Sequence, residues 1–156
     1  MPLKLQDEIR QSKPFRSPEE EAYLSIVRTS ALLEHSLAQG LKAHDITPTQ
    51  YNVLSILRGA GTDGLCRNEI GRRLITRMPD VTRLLDRMER AGLVSRVRST
   101  EDRRLVNTIL TGRGSQIVDK LDREVAKEHE RTLGHMTNAQ LTALVDLLSL
   151  AREGGG

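Results

Sequence analysis

The 156-residue chain has a single thiol, Cys66, no tryptophan, and only three aromatic side chains, Phe15, Tyr23 and Tyr51. One cysteine cannot close an internal disulfide, which removes cross-linked secreted scaffolds from consideration. The apolar share of 37% comes mainly from leucine, alanine, valine and isoleucine, a composition that favours packed helices over a β-sandwich. No apolar run approaches the ~18 residues needed to span a bilayer, and no charged-then-apolar leader opens the sequence, so a soluble, cytoplasmic protein is expected. The four histidines, His35, His44, His129 and His135, are dispersed and no cysteine cluster accompanies them, so no metal site is expected. Nucleophile elbows, phosphate-binding glycine motifs and paired carboxylates are missing too. Neither an enzyme nor a cofactor is expected.

What is there is unevenly placed charge. The segment from Arg67 to Arg104 holds eleven arginines and no lysine against six acids, a net +5, which leaves the rest of the chain at −2 of the overall +3. Guanidinium forks suit phosphate oxygens and guanine edges, although a solvated helix face could carry the same charge.

Along the chain, residues 1–16 lack apolar periodicity and Lys13-Pro14-Phe15 interrupts any helix, so they read as an arm. Ser17-Pro18-Glu19-Glu20 joins an N-cap serine, a proline at the first helical position and a glutamate three residues after the cap. A long helix to about residue 44 follows. Its apolar residues form two stripes, Tyr23, Ile26, Val27, Leu33, Leu37 and Leu41 on one, with Leu24, Ala31 and Leu32 on the other; two stripes require two partners. Thr47-Pro48-Thr49-Gln50 repeats the capping pattern before a short buried helix that carries Tyr51, Val53, Leu54, Ile56 and Leu57 and ends near Arg58, where Gly59, Gly61 and Gly64 make a turn. A support helix over about 66–74 turns Ile70 and Leu74 inward and leaves Arg67, Asn68, Arg72 and Arg73 to solvent.

The next helix, 79–91, is read with Pro79 in its first turn. Val81, Leu84, Leu85 and Met88 form one face, Thr82, Arg83, Asp86, Arg87 and Arg90 the other, and Gly92 stands at the C′ position. Between 94 and 110 the pattern becomes that of a hairpin, with Val94 and Val97 facing Leu105, Val106, Ile109 and Leu110 across a charged tip at 99–103. Thr111 caps a second long helix to about 133, its first turn loosened by Gly112 and Gly114. Thr137-Asn138-Ala139-Gln140 opens a last helix rich in leucine, and the glycine tail 154–156 is expected to be disordered.

This order reads as a mainly α fold: a winged helix-turn-helix unit over 47–113 with a small β-hairpin wing, flanked by dimerisation helices at 17–44 and 114–153, all within one domain over 1–156. A turn-linked helix pair can hold its second helix in a major groove while the apolar face of that helix is anchored in the core. Residues near the helix start reach bases first, which selects Arg77, Asp80, Thr82 and Arg83. Arg67 and Asn68 join them from the support helix, while Arg87 and Arg90 meet phosphate or pair with Asp86 and Glu89. A twofold dimer would cover the excess apolar surface of the terminal helices and set two recognition helices roughly 34 Å apart on a pseudo-palindrome.

Ile46-Thr47-Pro48-Thr49-Gln50-Tyr51, Val81-Thr82-Arg83-Leu84-Leu85-Asp86-Arg87-Met88-Glu89, Gly92-Leu93-Val94, and Asp102-Arg103-Arg104 followed by Leu110-Thr111-Gly112 occur in an order and spacing that resembles the multiple-antibiotic-resistance regulator (MarR) family of winged-helix repressors, over residues 17–150. The resemblance implies a homodimer that binds double-stranded DNA at a pseudo-palindromic operator, represses transcription, and is released by a small phenolic or amphipathic effector. It also implies that the Asp-x-Arg element of the wing, here Asp102 and Arg104, delivers an arginine to the minor groove, with Arg103 on phosphate. A narrow A·T-rich minor groove attracts a guanidinium that a carboxylate holds in place; the alternative is a plain surface ion pair worth about 0–1 kcal/mol. The effector residues are left open, with Arg16, His35 and Tyr51 near the expected crevice by location alone. Ile75-Thr76-Arg77-Met78-Pro79 departs from the small polar residues of the family, which leaves the operator sequence open. Cys66 starts the support helix, where either a reactive thiol or an inert half-buried one fits. The alternative function is a helical ligand-sensing or protein-interaction module that does not bind DNA.

Overall fold

Five helix starts are set by a side-chain oxygen that accepts a free backbone N–H of the first turn: Ser17 from Glu20, Thr47 from Gln50, Asp80 from Arg83, Thr111 from Gly114 and Thr137 from Gln140. At Thr47 and Thr137 the glutamine side chain accepts the cap N–H in return, at 3.0 and 2.9 Å. A computed structural model describes residues 1–155 and gives the order α1 (Leu5–Glu8), α2 (Pro18–Leu41) with a 3₁₀ turn at Lys42–His44, α3 (Pro48–Ala60), β1 (Leu65–Cys66), α4 (Arg67–Arg73), α5 (Val81–Arg90), β2 (Val94–Arg98), β3 (Val106–Leu110), α6 (Gly112–Leu133) and α7 (Asn138–Glu153). The chain is therefore mainly helical, with one small antiparallel sheet in the order β1-β3-β2.

The core is built where α3, α4, α5, the sheet and α6 meet. Val53, Leu54 and Leu57 of α3, Ile70 of α4, Leu84, Leu85 and Met88 of α5, Val94 of β2, and Val118, Leu121 and Val125 of α6 are all buried in one cluster. Burying the three α5 side chains contributes about 5–9 kcal/mol as an upper bound, enough to fix which side of that helix faces out. Its end is fixed as well. Gly92 adopts φ +76 and donates its N–H to Glu89 O at 2.9 Å, while Leu93 N–H reaches Met88 O at 3.0 Å, the paired bonds of a Schellman cap. Gly114 has a different reason to be glycine: a Cβ there would lie 2.1 Å from Leu93 O, so it lets the start of α6 close on the turn that follows α5 rather than loosening its own turn.

Several expectations change. The arm contains one helical turn, α1, held to α2 by Glu8 and Arg28 at 3.7 Å. Pro79 lies outside α5, because the Asp80 carboxylate takes the Arg83 N–H as the cap and the helix starts at Val81. Gly59 lies inside α3, and only Gly61 and Gly64 take positive φ in the turn. The hairpin gains a third strand, with Leu65 opposite Thr108 and Cys66 opposite Asn107. Of the glycine tail, Gly154 caps α7 and Gly155 donates to Arg152 O at 3.2 Å, while residue 156 lies outside the described residues.

The terminal helices pack differently. Helix α2 leans on α6 through the Ser36 hydroxyl, which donates to Glu128, and through a 2.6 Å bond between His44 Nε2 and Glu124. Only Leu41 of α2 is buried and no residue of α7 is. Tyr23, Ile26, Val27 and Leu32 on α2 and Val145, Leu147 and Leu150 on α7 all face solvent in the single chain.

Candidate nucleic-acid interface

With Leu84, Leu85 and Met88 of α5 buried, the opposite face presents Arg83, Arg87 and Arg90 outward. Among the described residues, Arg77, Arg83, Arg87, Arg90 and Arg103 have no acid within salt-bridge distance. Asp86 does not neutralise Arg87 or Arg90. It pairs instead with Arg96 of β2, which ties α5 to the base of the β2–β3 hairpin. Asp80, placed among the base contacts by sequence, spends one oxygen as the cap of α5, at 3.0 Å from the Arg83 N–H. Arg67 and Thr82, expected on DNA separately, touch each other: Arg67 Nη1 donates to Thr82 Oγ1 at 2.8 Å and links α4 to α5.

The wing tip is braced from within. Ser99 is buried, and its Oγ accepts the N–H groups of Glu101 and Asp102 at 3.3 Å each. Arg98 Nη1 donates to Arg103 O at 3.0 Å, which fixes the backbone of the tip and leaves the Arg103 side chain exposed. Asp102 holds Arg104 by a two-pronged contact, Nε to Oδ1 at 3.1 Å and Nη2 to Oδ2 at 3.2 Å, and also accepts the Arg104 backbone N–H at 3.0 Å. Those bonds from Arg104 keep the Asp102 carboxyl below the usual carboxylate range. The Arg104 side chain is nevertheless 90% exposed, so it is oriented without being covered.

The two halves of the surface meet. One hollow is lined by Arg67, Asn68, Thr82, Arg96 and Arg104, which brings the support helix, α5 and the wing to a common edge. A second, beside it, adds Arg77 and Asp80 to Arg67, Asn68 and Thr82. Arg83, Arg87, Asp102 and Arg103 line neither. Sequence reasoning missed Arg96, Arg98 and Ser99 as organisers of the wing; the period-two spacing of Arg96 and Arg98 was the one signal that both share a face of β2.

Within the single chain Arg16 and Tyr51 take separate partners. Tyr51 Oη donates to Asp122 Oδ1 at 2.5 Å in a cluster with Arg58 between α3 and α6. Burial and that carboxylate push the Tyr51 phenol up, and Arg58 holds Asp122 down. Arg16 pairs with Glu20 at the far end of α2, at 3.8 Å, and the helix that separates them from the α6 contact at Ser36 is on the order of 25–30 Å long. His35 is exposed and Cys66 half-buried. Among the described residues no three His, Cys, Asp or Glu side chains gather to hold a metal, and no helix is long and apolar enough to cross a membrane.

A family model described as the MarR family matches residues 46–106. The chain is 32% identical over 112 residues to an uncharacterised HTH-type transcriptional regulator, YkoM, of Bacillus subtilis strain 168, covering 69% of this chain and 71% of that one. The crystal structure of a MarR transcription factor from Planctomyces limnophilus superposes with a TM-score of 0.66 at 36% identity, over 88% of this chain and 99% of that one. A mutant MarR from E. coli, crystallised with operator DNA, superposes with a TM-score of 0.77 at 25% identity, over 94% of this chain and 97% of that one.

Proposed function

The chain belongs to the MarR family of transcriptional regulators, and from that premise we propose that it works as a homodimer that binds a pseudo-palindromic operator through α5 and the wing and represses until an effector releases it. The observation that carries this reading is the outward surface of α5 and the wing tip, where Arg83, Arg87, Arg90 and Arg103 stand with no acid within salt-bridge distance among the described residues, over an apolar backing that is buried. The E. coli relative solved with operator DNA, of the same fold over nearly its whole length, supports it.

In this reading residues 47–113 are the DNA-binding part, and 17–44 and 114–153 the dimerisation helices. Arg77, Thr82 and Arg83 approach the major groove, with Arg67 and Asn68 at its edge and Asp80 holding the helix start toward it. Arg87 and Arg103 meet phosphate. Arg104, fixed by Asp102, enters the adjacent minor groove, where A·T-rich sequence concentrates negative potential. The work involves no catalytic step, and it belongs where the genome is, in the cytoplasm. A small amphipathic effector, as for the family, would act by shifting the distance between the two lobes.

The test is salt. Affinity for a selected duplex should fall steeply between 50 and 200 mM salt, by about 10³-fold or more for six or more phosphate contacts, and Arg103→Ala should reduce the magnitude of the log-log slope by about one. A protein with no salt-dependent affinity for any duplex would be an interaction or ligand-sensing module instead.

A further inference from the structure

The loop that leads into α5 contains an apolar side chain with nothing to pack on. Ile75 is 88% exposed, the most exposed large apolar residue of the chain apart from Met1. Its stem is rigid all the same. Leu74 beside it is buried, the Leu74 N–H closes the last turn of α4 on Ile70 O at 3.2 Å, and the Ile75 N–H donates to Asn52 Oδ1 of α3 at 2.8 Å. The side chain is therefore held out by two neighbouring elements. It shares a hollow with Arg67, Asn68, Arg77, Asp80 and Thr82, the residues that the functional reading above sets against the major groove.

An isoleucine in that company cannot bond to phosphate and has no hydrogen bond to offer a base edge. The major groove displays one apolar group, the 5-methyl of thymine. We propose that Ile75 reads a thymine methyl next to each recognition helix, so that each operator half-site carries a T·A pair there. This rests on the DNA-binding reading, and it makes Ile75 a specificity-determining residue in addition to the arginines.

Deoxyuridine removes only the methyl group from thymidine. An operator selected from random duplexes on the wild-type protein is resynthesised with each thymidine in turn, in both half-sites, replaced by deoxyuridine, and affinities are read by fluorescence anisotropy for wild type and Ile75→Ala. At one symmetric position the replacement should weaken the wild type about three- to tenfold and leave Ile75→Ala unchanged. Because Ile75 is exposed, the variant should fold and dimerise as the wild type does. If both proteins bind and every replacement affects them alike, the role of Ile75 is overturned while the DNA reading stands. If neither protein binds any duplex, the DNA reading falls and this inference with it.

Discussion

The winged lobe and the terminal helices use the same alphabet of leucine, valine and isoleucine to different ends. In the lobe, α3 and α5 each bury three residues, and α6, which leads out of it, buries Gly114, Val118, Leu121 and Val125 to close the same core. In α7, sixteen residues long, none is buried, and α2 leaves Tyr23, Ile26, Val27 and Leu32 to solvent. A helix whose apolar stripe has no partner within its chain is stabilised by a second chain or is poorly stabilised at all. The lobe is complete in one copy, whereas the terminal helices are written for two. The arginine surface of α5 is backed by that closed core, and in the proposed reading its spacing on DNA depends on the terminal helices.

That contrast can be broken from the lobe side first. Leu85→Ala removes a buried side chain from the base of the recognition helix and should cost about 2–5 kcal/mol in chemical denaturation, with DNA binding lost in step with folding. From the other side, Leu147→Glu places a charge on the exposed stripe of α7. It should leave the helical circular dichroism of the lobe in place, halve the mass seen by light scattering, and weaken binding to a palindromic duplex by about 10²-fold as the second half-site becomes an independent event. Equal loss of structure in both variants would erase the distinction.

Smaller effects sharpen it. Arg104→Ala should cost about tenfold in affinity on operators with A·T-rich flanks and much less on G·C-rich flanks, with little change in stability, since that side chain is 90% exposed and hydrogen-bonds to Asp102. Titration separates the regions too. Arg131 and Ser36 hold the Glu128 carboxyl, where α2 meets α6, down from 4.5 to about 2. A carboxyl lowered by folding contributes stability that is present above its unfolded value and lost as pH falls through its folded one. Thermal melts should therefore decline between about pH 4.5 and pH 2, and Glu128→Gln should flatten that decline. An unaltered acid limb in that variant would show that the contact between α2 and α6 does not depend on Glu128.

How much of this was legible in the chain follows the range of the forces involved. Caps act within four residues, so Ser17, Thr47, Thr111 and Thr137 announced their helices, and Gly92 the end of α5. The burial of Leu84, Leu85 and Met88 followed from spacing alone, as did the solvent face of arginines. Proline at 79 was misread because a capping carboxylate at the next residue defines the helix start more strongly than a fixed φ does. Strand β1, two residues long, is too short to show alternation and exists only through its pairing with β3. The pairs between Asp86 and Arg96 and between Tyr51 and Asp122 join residues that nothing local couples, and the sequence carried no sign of them. The clamp of Asp102 on Arg104 was suggested by resemblance, and the geometry supplies its two prongs.

Hydroxyl-radical footprinting of the full protein on its selected operator addresses the central claim most directly, that α5 is held by its apolar side so that its arginines and the wing tip meet one duplex. Two protected patches should appear, related by a twofold axis and centred about one helical turn apart, each flanked by minor-groove protection that disappears in Arg104→Ala. A single unsymmetrical patch, or flanking protection that survives in that variant, would contradict the account.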